Sequence, residues 1–161
     1  MTSDANDKSL REHLVKLLTS SEAHTDIESA LQKIPLELQG KRPANVDHSA
    51  WELLEHLRIA QWDILEFTRN PKHVSPDFPE GYWPARQKPP DEKAWGKAVQ
   101  TFRADLKAMV EIVADKSNDL FSPISHGDGQ TILREALVLA DHNAYHLGQL
   151  VQLRKQLGAW D

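Results

Sequence analysis

The chain has no cysteine among its 161 residues. That absence excludes a disulfide framework, a thiolate nucleophile and every zinc or iron–sulfur site built on cysteine. Any thiol chemistry must therefore come from a substrate or cosubstrate. No window approaches eighteen consecutive apolar residues, so no membrane-spanning helix is expected. The opening MTSDANDKSL is polar, without the apolar core or small-residue cleavage site of a secretion signal, and a cytoplasmic location is the expectation. Positive charge is outnumbered, with 19 Lys and Arg against 24 Asp and Glu. A formal net charge of -5 provides no basic stripe to neutralise a run of phosphates, so nucleic acid is not an expected partner. No Gly-rich phosphate loop and no G-x-S-x-G elbow occurs, which leaves nucleotide and serine-hydrolase chemistry without support.

What is present suits one domain spanning residues 1–161, with 40% hydrophobic and 27% charged residues. Four stretches carry a helical period and none alternates long enough for a strand, so the fold class is all-α, a four-helix bundle. The first helix is predicted over 7–33, on the stripe Leu10, Leu14, Leu17, Leu18, Ile27, Leu31 and Ile34, with Ser21 and His24 as interruptions. The second starts at Ser49, where Ser49-Ala-Trp-Glu52 forms a capping box, and runs to about Arg69. Asp91 is the expected N-cap of the third, whose stripe is Trp95, Val99, Phe102, Leu106, Met109 and Val113. The fourth runs from about Thr131 to Leu157 and stops before Gly158.

Between the second and third helices, residues 71–90 carry Pro71, Pro76, Pro79, Pro84, Pro89 and Pro90, which deny regular hydrogen bonding over a long crossover. It also holds Phe78, Tyr82 and Trp83. Two readings stand side by side: a lid over a site, or a passive strap whose aromatics plug the end of the bundle.

On a wheel of 100° per residue, His142 and His146 fall in the same stripe of the fourth helix as Ile132, Glu135, Leu139, Leu150, Leu153 and Leu157. Two imidazoles one turn apart among leucines present four ring nitrogens to satisfy, and two positive charges there would repel each other. A divalent cation accepts neutral imidazole from both. The competing reading is a pair of core histidines satisfied by Glu135, Glu52 or buried water. His56, on the shoulder of the core face of the second helix, is the candidate third ligand. His24 could reach the same level as a fourth ligand or substrate contact. His13, His48 and His73 read as solvated, and His126 as an exposed turn residue. Paired Glu-x-x-His motifs for a di-iron centre are missing, so one metal is the expected count.

The segments Trp51-Glu-Leu-Leu-Glu-His56-Leu and Asp141-His142-Asn-Ala-Tyr-His146-Leu-Gly148-Gln149 resemble the DinB/YfiT-like family of four-helix-bundle metalloproteins, whose signature is H-x-x-x-H-x-G-Q. The resemblance runs over essentially the whole chain. It implies that His56, His142 and His146 hold one divalent metal, zinc or nickel foremost, with iron and manganese as further candidates. It also implies a metal-dependent enzyme of thiol S-transferase or hydrolase type acting on a small-molecule substrate. Characterised relatives include transferases that use low-molecular-weight thiols such as bacillithiol, and a mycothiol-dependent maleylpyruvate isomerase. Gln149, Tyr82 and Trp83 join His24 as expected pocket residues, Gln149 lying about a turn from His146. Relatives are often dimeric, and a homodimer is expected. The alternative is a noncatalytic bundle that uses metal for stability, dimerises or binds a small ligand.

Overall fold

Helix α4, Ala50–Arg69, begins where the capping box requires: the Ser49 hydroxyl accepts from the Glu52 amide, and the Glu52 carboxylate accepts from the Ser49 amide at 2.8 Å. The structure is a computed structural model describing residues 2–19 and 23–160. Its long helices are α1, Thr2–Thr19; α4; α5, Ala94–Ala114; and α6, Ile132–Gln156. They pack as a bundle in which α4 lies against both α5 and α6, and α1 closes the other side against the same two. Among the described residues there is no strand, only an isolated bridge between Pro123 and Thr131. No helix among them is long and apolar enough to cross a membrane.

The expected first helix over 7–33 is corrected. It starts at Thr2 and ends at Thr19; Ile27–Leu31 forms a separate short helix, α2, and Leu36–Gln39 another, α3. Residues 20–22, which that expectation also covered, lie outside the described residues. Asp26 is the physical reason for the restart. Its backbone is extended and its side chain accepts from the Ser29 amide, so it caps a new helix. The stripe residues Leu31 and Ile34 are still buried, on a piece of chain with its own direction. Arg154 of α6 ties that piece down, donating to the carbonyls of Ala30 at 2.7 Å and of Ser29 and Gln32 at 3.2 Å.

A smaller correction concerns Asp91. The N-cap of α5 is Lys93, and Asp91 acts one step earlier, its carboxylate accepting from the Lys93 amide at 2.8 Å. Thr131 caps α6 through the Arg134 amide, and Gly158 beyond its end has φ +68, where a side chain would be strained. His126 is not an exposed turn residue. It is half-buried, with Nε2 against the Phe67 carbonyl at 2.6 Å.

The apolar interior forms two clusters. One gathers Leu53, Leu54 and Leu57 with Phe102, Leu147 and Leu150; the other gathers Leu65 with Met109, Val113 and Leu139. Along α4 and α6 a polar stretch falls between them. Asn143 donates to Gln61 Oε1 at 3.1 Å, and Gln61 donates to the Phe102 carbonyl at 2.6 Å. The histidines stand beside this stretch.

Candidate metal centre

Three histidines from two helices meet at one point. His56 comes from α4 and His142 and His146 from α6, and their facing ring nitrogens lie within 4.8 Å of one another. His56 and His146 are buried, each 8% exposed, and His142 is half-buried. The i and i+4 spacing places both α6 rings on the face turned toward α4. His56, read from the sequence as a shoulder residue, is buried because the crossover covers that shoulder.

The hydrogen bonds decide which nitrogen of each ring is bare. His56 Nδ1 lies 2.8 Å from the Tyr82 carbonyl, which can only accept, so this nitrogen carries the proton. His146 Nδ1 donates in the same way to Gln149 Oε1 at 2.7 Å. In a neutral imidazole the opposite nitrogen is then an unprotonated acceptor. Yet the two Nε2 atoms face each other at 3.0 Å, and His142 Nε2 stands 3.1 Å from His56 Nε2. A proton on His142 Nε2 could satisfy the second contact but not the first. His142 Nδ1 is buried without a hydrogen-bond partner.

A cation among the three Nε2 atoms resolves this opposition. Nitrogens about 2.0–2.1 Å from one ion lie about 2.9–3.4 Å apart for ordinary coordination angles, and the observed contacts are 3.0 and 3.1 Å. Those two spacings fit a divalent metal, and the nitrogens of His142 and His146 lie within 4.8 Å of each other. The rings are also held in the required charge state. Burial, reinforced by its two neighbours, pushes His142 down to about 4. Burial likewise lowers His56 and His146, outweighing the Tyr82 and Gln149 bonds that act in the other direction. Neither Glu52 nor Glu135 serves the histidines: Glu52 is paired with Arg42, and Glu135 with Arg134 at 2.5 Å.

Around the ligands lies a second layer. Trp83 stacks on His56 with ring centroids 3.9 Å apart and planes 4° from parallel, and His48 stacks on the far face of Trp83 at 3.9 Å. The Tyr82 hydroxyl donates to Asp63 Oδ2 at 2.7 Å, and Asp63 Oδ1 accepts from His73 Nε2 at 2.7 Å. Burial, then Asp63, pushes the Tyr82 phenol up to about 12.

Tyr82 and Trp83 thus support His56, where a direct pocket role was expected. Gln149 holds His146. His24 stands apart: it is exposed, its Nδ1 bonds to the Thr25 carbonyl at 2.8 Å, and it is not among the three clustered ligands. The fourth-ligand expectation for it is corrected, because α1 ends at Thr19 and His24 lies in a bend outside that helix.

Asp63 escaped the sequence reading, and the reading of His48 and His73 as solvated is corrected: His48 stacks on Trp83, and the His73 side chain is buried against Asp63 and Trp62. Asp63 had a signal, since it lies seven residues after His56 and so on the same helical stripe. His48 and His73 had none, being on segments without periodicity. Beside the centre is a cleft of about 490 Å³, walled by Asp47, His48, Tyr145, Gln149, Gln152 and Leu153. Crossover residues 71–90 do not line it.

Comparison with known proteins places this geometry in a family context. The family model of the DinB superfamily matches residues 20–150. No curated protein and no solved structure matches the chain.

Proposed function

Because the chain belongs to the DinB superfamily, we propose that it is a mononuclear metalloenzyme, of thiol S-transferase or hydrolase type, in which His56, His142 and His146 hold one divalent ion. The observation that carries the reading is the 3.0 Å opposition of two unprotonated nitrogens, on His56 and His146. Zinc or nickel is the proposed metal, and iron and manganese also suit three imidazoles. Bound there, such an ion would supply Lewis acidity, lowering the pKa of a water or thiol beside it.

The remaining tasks belong to the chain. Tyr82 and Gln149 keep the protons of His56 and His146 on Nδ1 and so leave Nε2 free. Trp83 shields His56 from water. The cleft receives the substrate, with Leu153 as apolar wall and Gln149, Gln152, Asp47 and His48 as hydrogen-bonding groups. Tyr145, edge-on to His146 at 4.8 Å, stands between cleft and centre.

Three ligands with His24 set apart support an enzyme over a closed structural site, which takes four. We place the protein in the cytoplasm as a homodimer acting on a small molecule, without nucleic acid; light scattering after size-exclusion chromatography tests the dimer. For the function, elemental analysis of tag-free protein should find close to one equivalent of metal, lost in His142→Ala. Conjugation of electrophiles with bacillithiol, mycothiol or glutathione, and hydrolysis of amides and esters, should be measured alongside. Less than a tenth of an equivalent after metal incubation, or activity that survives loss of His146, defeats the proposal.

A further inference from the structure

Behind the metal centre is a buried carboxylate that coordinates nothing. Asp63 is 9% exposed and lies two turns beyond His56 on α4. A carboxylate that deep needs hydrogen bonds, and each of its oxygens has one. Oδ1 accepts from His73 Nε2 and Oδ2 from the Tyr82 hydroxyl, both at 2.7 Å. His73 and Tyr82 belong to the beginning and the later part of the proline-rich crossover, so one side chain of α4 grips that segment at two places. The His73 side chain is itself only 6% exposed and meets Trp62 edge-on at 5.0 Å.

The grip bears on the centre through a single residue. Tyr82, whose hydroxyl Asp63 holds, is also the residue whose carbonyl accepts the His56 Nδ1 proton at 2.8 Å. Trp83, next in the chain, lies flat on His56. A backbone carbonyl in a helix or sheet is placed by its neighbours' hydrogen bonds. In the crossover only the short turn Glu80–Tyr82 is regular, and six prolines deny the rest. Backbone bonds from the Tyr82 amide to the Pro79 carbonyl and from the Trp83 amide to the Glu80 carbonyl shape the turn itself, and the Tyr82 hydroxyl on Asp63 fixes where that turn stands against α4.

We propose that Asp63, His73 and Tyr82 form a latch that sets the tautomer and ring plane of His56, making them positioning residues for the metal ligand. Toward the metal, this rests on the three-histidine reading above. Its action on the His56 ring does not require a metal. Partners that orient ligating histidines typically change metal affinity by about 10–100-fold when removed.

The test uses Asp63→Ala and Tyr82→Phe, the latter removing one oxygen while keeping the ring and the carbonyl. In metal-free protein, nitrogen-15 NMR of the imidazoles should show a protected Nδ1 proton on both His56 and His146. Each variant should lose or broaden the His56 signal and keep that of His146, which Gln149 holds independently. Zinc affinity, measured by competition with a chelator, should fall about tenfold in Tyr82→Phe and up to about a hundredfold in Asp63→Ala. An unchanged His56 signal in Tyr82→Phe overturns the latch. So does equal loss of both signals, which reports general loosening, and so does zinc affinity within twofold of the parent. Should the parent bind no zinc, the metal reading fails by itself and the imidazole signals alone decide the latch.

Discussion

His56 and His146 point bare nitrogens at each other across 3.0 Å, each having committed its only proton to a different acceptor, the Tyr82 carbonyl and Gln149. A pair of ordinary core histidines would place a proton in such a contact. Here the surrounding bonds remove it, and the geometry fits a cation between the rings.

The first consequence is thermodynamic. An ion that binds only the folded chain stabilises it by about 4 kcal/mol at a thousandfold excess over its Kd. Adding zinc to metal-free protein should raise the thermal midpoint by several degrees, and His146→Ala should abolish the rise. A midpoint that zinc leaves untouched would count against the site.

Without metal, the protein should lose stability as the solution is acidified. All three rings have native pKa values below the ordinary 6.5, His142 at about 4. Between those values the unfolded chain binds protons that the native chain refuses, so stability is complete above about pH 6.5 and falls as pH drops toward 4. For His142 alone the loss from pH 7.5 to 5 is about 2 kcal/mol. Urea midpoints at the two pH values check this; equal midpoints would contradict the protonation states assigned here.

Gln149→Ala separates ligand orientation from folding. The side chain is exposed and water can replace it, so its loss should change metal-free stability by no more than about 1.5 kcal/mol. It should nevertheless weaken zinc by about tenfold or more, because His146 Nδ1 loses its acceptor. Competition titration beside urea denaturation gives both numbers, and unchanged affinity would assign Gln149 to the cleft alone.

The amide pair between the two apolar clusters should behave in the opposite way. Gln61 is fully buried and bridges Asn143 of α6 to the Phe102 carbonyl of α5. Gln61→Ala opens a cavity and strands both partners, for a loss of about 2–4 kcal/mol. With Asn143→Ala added, the combined loss should fall short of the sum of the single losses, since one bond is removed in both. Strict additivity in denaturant unfolding would show that the pair is not coupled.

Much of this molecule is legible as local periodicity. The Ser49 capping box, the stripe of α5 and the position of His142 and His146 among the leucines of α6 depend on residues within a turn or two of one another, and helical spacing alone relates them. The failures are equally local in cause. Stripe residues Ile27, Leu31 and Ile34 kept the right period although they lie outside α1, because burial on α2 and just beyond it demands the same residue types as burial on α1. Asp26, an N-cap in the middle of that run, was the signal against continuity.

The sequence by itself determined the helices that became α4, α5 and α6 and, through the spacing of His142 and His146, one edge of a candidate metal site. Only the tertiary structure brought His56, the sequence's candidate third ligand, against that edge, set His24 apart from it, and decided which nitrogen of the His56 and His146 rings is free. The reason is that those outcomes depend on acceptors far along the chain, above all the Tyr82 carbonyl. A carbonyl has no residue-type signature, and its segment has no period. Where it lies is set by Asp63, a helix residue whose two partners, His73 and Tyr82, sit in a proline-rich loop and become neighbours only when the crossover folds back over α4.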